Sequence, residues 1–292
     1  MELSSEHTGK RSKPFEVEVT RRRSMNYAAG LNDPNPCYFD EERPGGVVAP
    51  PMLAVALTWP LSERFAEFWE HGDFPLEVLA RQVHYSEYIE WERPMRPNDR
   101  LRIEGEVVAI APHRAGTYLV IRYDAHDKKG APVFHEYIGA LLRGVACTDE
   151  GQGADSLPEI TRRKTTEGPV WEKVAPVDPL AAHIYDGCAD IHFPIHTSAA
   201  FAHSVGLPGI LYQGTATLSL AVREITNLEA EGDPARVRQT SCLFTGMVFP
   251  GSDITIRALA REETDEMKHI YFCVLNADGK PALRSGCVAL AR

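Results

Sequence analysis

"PMRPNDRLRIEGEVV", residues 94–108, and "GMVFPGSDITIRALA", residues 246–260, carry one pattern twice. Each sets a polar turn containing Pro and Asp ahead of a strand. In the first, Leu101, Ile103, Gly105 and Val107 alternate with Arg102, Glu104 and Glu106, the period of a strand with one buried face. The duplication continues outward. "TYLVIRYDAHDKKGAPVFHEYIGALLR" (117–143) reads as strand, Gly turn, strand. "IYFCVLNADGKPALRSGCVALAR" (270–292) reads the same way, with Asp278-Gly279 as a hairpin signal. Upstream, "NDPNPCYFDEERPGGVVAPPML" (32–53) parallels "DIHFPIHTSAAFAHSVGLPGILYQGTATL" (190–218). An offset of about 150 residues is too long for a solenoid and implies two related domains in tandem.

Each half has a loop rich in Pro, Asn or His, then one long apolar helix, then strands joined by turns. The second-half helix is expected over 213–232, where Leu218, Ala221, Val222, Ile225 and Leu228 keep helical spacing before Gly232. The first-half helix is expected over 51–70, with Pro60 kinking or breaking it. One long helix wrapped by an antiparallel sheet is an α+β unit, and two such units can pair their sheets edge to edge. The expected division is a first domain over 14–147, a polar linker over 148–172 and a second domain over 173–292.

The chain has 292 residues, 43% hydrophobic and 25% charged, with a formal net charge of −10. That charge argues against nucleic-acid binding, which needs a basic face. The basic runs at 10–13 and 21–23 read as a solvated arm. No run of apolar residues is long enough to span a membrane, and the start has no secretory signal pattern. The six cysteines form no CxxC pair and read as reduced cytoplasmic thiols.

Four of the eleven histidines fall between His183 and His203. His192 and His196 have the spacing of two ligands on one helical turn, but Pro194 between them would break that helix, and no metal is expected. His183 and His203 read as ordinary helix or surface histidines. No dinucleotide fingerprint, phosphate loop or nucleophile elbow is present, and no cofactor is expected. Taken alone, Asp190 reads as a loop or cap residue bonding its own backbone.

The second half resembles the MaoC-like, or R-specific enoyl-CoA hydratase, family. Tyr185, Pro194-Ile195-His196, Phe201-Ala202 and Gly214 fall on that family's frame without a gap. The first half, through "YAAGLNDPNPCYFDE" (27–41), "APPML" (49–53) and "VHYSEYIEWERPMRPNDRL" (83–101), resembles the degenerate half of double hot-dog dehydratases. The resemblance implies a tandem hot-dog fold and a hydratase or dehydratase acting at the 2,3-position of an enoyl-CoA or 3-hydroxyacyl-CoA thioester. It further implies that Asp190 and His196 are the acid–base pair and that the Gly214 N–H, at a helix N-terminus, stabilises the thioester oxyanion. His192, Tyr185, Phe193 and Gln213 are candidates for the groups around the reacting atoms, and His84 and Pro194 for the wall of the acyl tunnel.

Two departures stand out. Ile191 occupies the family's aspartate position and Phe193 its asparagine position. Either the loop bulges so that Asp190 points inward, or His192 takes part of the role. In the first half Tyr38 stands where the histidine should be, and the residue matching Gly214 falls at Pro51, which has no N–H. That half is therefore expected to be structural. Arg93, Arg96 and Arg114 are candidates for the phosphates of CoA. A homodimer or hetero-oligomer of hot-dog units is expected. The alternatives are a hot-dog thioesterase and a non-catalytic acyl-thioester binding subunit.

Overall fold

The computed structural model describes residues 1–163, 165 and 168–292. In the first half, strands β1 (Glu2–Leu3) and β2 (Phe15–Glu18) lead to helices α1 (Arg21–Gly30) and α2 (Pro36–Phe39). The central helix α3 (Leu53–Glu63) and a short α4 (Phe65–Phe68) come next. Strands β3 (Gln82–Trp91), β4 (Arg100–His113), β5 (Gly116–Asp127) and β6 (Pro132–Arg143) follow, then β7 (Ala146–Cys147). The second half repeats the order with β8 (Trp171–Val177), α5 (Ala181–Ala189), α6 (Ala199–Ser204) and the central helix α7 (Gly214–Glu229). It closes with β9 (Val237–Phe244), β10 (Ser252–Glu263), β11 (Met267–Leu275) and β12 (Pro281–Ala291).

Ten of these strands form one sheet in the order β2-β4-β5-β6-β3-β9-β12-β11-β10-β8. The order reads the same from either end. The two halves meet at an antiparallel β3–β9 pair, where Glu87 faces Cys242 and Ile89 faces Thr240. Each half therefore wraps a sheet about its own central helix, and the fold is a tandem hot-dog of the α+β class. The helices α1 and α5 pack on each other across the junction, where the Tyr27 and Tyr185 hydroxyls lie 3.0 Å apart.

The central helices are both enclosed by the sheet, and their core-facing positions are apolar. Leu53, Ala54, Ala56, Leu57 and Leu61 of α3 and Ala216, Leu218, Ala221 and Ile225 of α7 have no exposed surface. Each buried Leu or Ile contributes about 1.5–3 kcal/mol. Pro60 sits inside α3, and the break comes four residues later, at Arg64. Proline lacks the N–H that would bond the Ala56 carbonyl. The Arg23 guanidinium supplies that donor instead, at 2.6 Å. Arg21–Arg23 thus open α1, capped by the Thr20 hydroxyl, and are not a free arm. In the second half the expected 213–232 helix ends at Glu229, and Gly232 takes a positive φ of 73°.

The stretch expected as a linker returns along the surface, where Gln152 bridges Ile110, and joins the sheet at Trp171. The Trp171 indole N–H donates to Glu229 at the end of α7, at 2.6 Å. No helix among the described residues is long and apolar enough to cross a membrane.

Candidate active site

A cavity of about 1070 Å³ lies between the two halves. One side is the loop from α5 to α7, and the other is the inner face of the first-half sheet.

The loop begins with a sharp turn. Asp190 follows the last residue of α5 in the left-handed region (φ 59°, ψ 40°), and its N–H closes on the Asp186 carbonyl at 3.0 Å. Asp is one of the few residues that adopts this conformation as a helix stop. The turn directs Asp190 outward and Ile191 inward, so Ile191 lines the cavity and is 6% exposed. The Asp190 carboxylate lies 2.8 Å from His192 Nε2, and His192 Nδ1 lies 3.1 Å from Asp186. This trio sits on the outer side of the loop, and neither Asp190 nor His192 lines the cavity. Partial burial opposes charge on His192, but the two carboxylates outweigh it and hold its pKa above the ordinary value.

Phe193 is extended, and Pro194 starts the 3-10 turn Pro194–His196, a position where its missing N–H costs nothing. The turn delivers His196 to the cavity. Its Nδ1 lies 2.9 Å from the Leu211 carbonyl, while the Leu211 N–H donates back to the Ile195 carbonyl at 3.1 Å. A carbonyl only accepts, so Nδ1 carries the proton and Nε2 keeps its lone pair. Burial lowers the pKa of the ring, which favours that neutral form.

Gly214 is the first residue of α7, and its N–H meets no acceptor among the described residues; the first bond of the helix is from the Thr217 N–H to the Gln213 carbonyl. The helix end therefore presents free donors and its positive dipole to the cavity. A Cβ at this position would come within 2.9 Å of the Phe244 ring, so only glycine fits without displacing it. Gln213 donates from Nε2 to the Ala182 carbonyl at 2.9 Å, and its buried Oε1 finds no donor among the described residues. Tyr185 is a strut between helices and not part of the wall: its hydroxyl donates to Thr215 at 3.2 Å, and burial raises its pKa to about 12.

His84, Phe193, His196, Gln213 and Gly214 line one cavity; Asp190, His192, Tyr185 and Pro194 do not. In the first half the helix opens at Leu53, two residues after Pro51. Its donors are already used: the Leu53 N–H bonds Pro50 and the Ala54 N–H bonds Pro51, at 3.0 and 3.2 Å. The equivalent loop serves as packing. Asn35 caps α2 and donates to the Gly232 carbonyl at 2.6 Å, and Tyr38 is buried beside Phe39. The cleft over this loop, about 540 Å³ and lined by Asp33, Asn35 and Arg43, is a separate and more open feature.

Two functional candidates escape sequence reasoning: Glu87 on β3 and Glu136 on β6, both lining the cavity with essentially no exposed surface. Burial raises the pKa of each well above the usual carboxylate range. One signal for Glu87 was available, since it shares the inward alternation of Ile89 and Trp91. At the rim stand Arg114, Arg143, Arg162 and Arg284, all exposed and none in an ion pair among the described residues. Arg93 and Arg96 are engaged elsewhere, Arg93 on Asp99 at 2.7 Å and Arg96 on the Gly45 carbonyl at 2.8 Å.

Comparison with known proteins gives a family model for each half. A MaoC like domain profile matches residues 162–276, and a FAS1-like dehydratase domain region profile matches residues 6–136. A fatty acid synthase subunit beta of Aspergillus oryzae is 42% identical over 27% of this chain, a match that spans 4% of that much longer protein. The enoyl-CoA hydratase ChsH3 of Mycobacterium tuberculosis is 22% identical over 61% of this chain and 60% of its own. The crystal structure of a MaoC-like dehydratase from Phytophthora capsici superposes with a TM-score of 0.81 and 20% identity, covering 97% of this chain and 96% of the other. A Mycobacterium tuberculosis protein described as having a double hotdog fold superposes with a TM-score of 0.63 and 14% identity over 96% of each chain.

Proposed function

Because the chain carries a MaoC-like dehydratase domain in its second half and a FAS1-like dehydratase region in its first, we propose that it is a hydro-lyase that adds water to, or removes it from, the 2,3-position of an acyl-CoA thioester. The observation that carries this reading is the His196–Leu211 bond. It supports an imidazole with a free Nε2 lone pair on the same cavity wall as an unused helix-opening N–H.

In the hydration direction, water attacks C3 as His196 Nε2 takes its proton. The thioester oxygen becomes an enolate, met by the Gly214 N–H and the dipole of α7. The imidazolium then returns a proton to C2, so water adds overall and the ring is restored. One base serving both transfers in turn fits a loop whose cavity-facing residue is Ile191. The buried Oε1 of Gln213 is suited to accept the second O–H of the attacking water. Asp190 acts at one remove, holding His192 and the shape of the loop. The rim arginines suit the phosphates of CoA, or of a phosphopantetheine carrier. Six free cysteines fit a reducing compartment such as the cytoplasm.

The test is incubation with a crotonyl-type CoA thioester. Loss of the conjugated absorbance without free CoA supports the hydro-lyase, whereas free thiol with the conjugation intact supports a thioesterase. One observation favours a second reading, a non-catalytic acyl-thioester binder: Ile191 in place of a loop carboxylate. Tight binding of the thioester with no turnover in either direction would select it.

A further inference from the structure

We infer that the first-half wall of the cavity, built from Glu87, Glu136, His84 and Trp59, recognises a hydroxyl group carried by the acyl chain of the substrate. This rests on the acyl-thioester reading above and adds the class of acyl group to it.

Glu87 faces Ile138 and Glu136 faces Ile89 in the β3–β6 ladder, which makes the two glutamates diagonal neighbours on one face of the sheet. A register shift at Tyr85 brings His84 to the same group, with its Nε2 3.0 Å from Glu87 Oε2 and 3.1 Å from the Ser86 carbonyl. The ring N–H is aligned on the carbonyl, not on the carboxyl. Glu87 and Glu136 bond each other through a carboxyl proton, and Thr58 also reaches Glu136. No other described residue donates to Glu87 or to Oε2 of Glu136, and among the described residues the buried Trp59 indole N–H finds no acceptor. All four residues line the cavity that holds His196 and Gly214. His84 packs on the Phe244 ring at 4.2 Å, and Phe244 in turn packs against Gly214.

Such a wall adds nothing to stability. Two buried acids that share one bond and leave other polar atoms unpaired cost more than the Leu or Met that would fill the same space. It is equally unsuited to a plain hydrocarbon, which would leave every one of these atoms without a partner. A hydroxyl suits it in both senses. It donates to a carboxyl oxygen of Glu87 and accepts from the Trp59 N–H or from a proton held by the pair. An anionic chain end would be repelled. A cationic one would require an acid to ionise within the buried site, which burial opposes.

The experiment is calorimetric binding of saturated acyl-CoA thioesters, which need no turnover, to the full chain. Plain alkyl, ω-hydroxy and ω-amino acyl chains of matched length are compared over a series of lengths. The expected result is a hydroxylated chain bound about tenfold or more tightly than its alkyl counterpart at one length or a narrow range, in keeping with the penalty for leaving site groups unpaired. Glu87→Leu/Glu136→Leu should abolish that preference and tighten binding of the alkyl chain. Glu87→Gln, which keeps the volume, should reduce the preference by weakening binding of the hydroxylated chain. Equal affinity for hydroxylated and alkyl chains at every length overturns the inference, as does a preference for the ammonium or one that survives both variants. Turnover of the matching enoyl thioesters is scored separately. A hydroxyl preference without turnover overturns only the hydro-lyase reading, and turnover without the preference overturns only this inference.

Discussion

The ring of His196 is held by the carbonyl of Leu211 across 2.9 Å, and that one bond fixes which nitrogen can act as a base. Burial lowers the pKa of the ring, so the neutral form persists below the ordinary value of 6.5. The base is therefore competent at neutral pH and is lost as pH falls through the lowered value. The acid limb of kcat/KM should lie below pH 6.5, measured as initial rates across pH. His196→Ala should lower kcat/KM by about 10²–10⁴, the usual contribution of a positioned acid–base group, and remove that limb.

Asp190 and Ile191 give the complementary prediction. The Asp190 carboxylate is bonded to His192 outside the cavity, while Ile191 lines it. Asp190→Asn should leave kcat/KM within roughly threefold of wild type, since no acid–base contribution is removed. A loss on the scale of His196→Ala would show that the loop rearranges on substrate binding to bring Asp190 inward.

Gly214 is asked to do two things, and variants separate them. Gly214→Ala places a Cβ within 2.9 Å of Phe244 and should impair turnover by crowding. Adding Phe244→Leu should restore it, because the N–H remains. Gly214→Pro removes the donor itself and should lose about 10²–10³ in kcat, the usual value for one oxyanion donor, with no rescue by Phe244→Leu. Steady-state kinetics on the four variants decides between crowding and a lost donor.

The fold was legible because it is written in periods: alternation in the strands, helical spacing in α7, and one order of elements repeated. The site was legible only in part, for physical reasons that can be named. His196 and Gly214 lie on a local frame whose spacing fixes their places. Asp190 does not, because a single left-handed residue after α5 reverses the side on which its neighbours fall, and Asp and Ile accept that swap without any change in sequence spacing. The break in α3 came at Arg64 and not at Pro60 because Arg23, distant in sequence, satisfies the carbonyl that the proline abandons. Glu87 and Glu136 meet only through pairing of β3 with β6, and a glutamate in an alternating strand reads as solvated until that pairing is known.

The rim arginines should act on the nucleotide end of the substrate and nowhere else. Arg114→Ala with Arg284→Ala should raise KM for a CoA thioester and weaken its salt dependence, leaving KM for the corresponding pantetheine thioester unchanged. Arg93→Ala, which breaks bonds to Asp99, Asp127 and the Pro94 carbonyl away from the cavity, is the control and should leave both values of KM unchanged. Equal effects of the rim substitutions on the two thioesters would remove these residues from phosphate recognition.

Glu87 ties the chemistry of the cavity to the stability of the chain. Burial raises its pKa well above the ordinary value of 4.5, so between 4.5 and the folded value the unfolded chain ionises this group while the folded chain keeps it protonated. The stability it contributes is fully present below pH 4.5 and is lost as pH rises toward the folded value. Glutamine carries no such linkage and keeps the shape. Glu87→Gln should therefore match wild type in Tm near pH 4 and exceed it by a margin that grows through neutral to alkaline pH. About 1 kcal/mol shifts the Tm of a domain of 150–250 residues by roughly 2–4 °C, which sets the scale of the gain. The same sign is expected for Glu136→Gln, and the two gains should fall short of additive, since Glu87→Gln also relieves Glu136 of the neighbouring charge that helps raise its pKa. Thermal unfolding of the three variants at four or five pH values measures both the slope and the coupling. A Tm difference that stays flat with pH would mean that Glu87 ionises as freely in the folded chain as in the unfolded one.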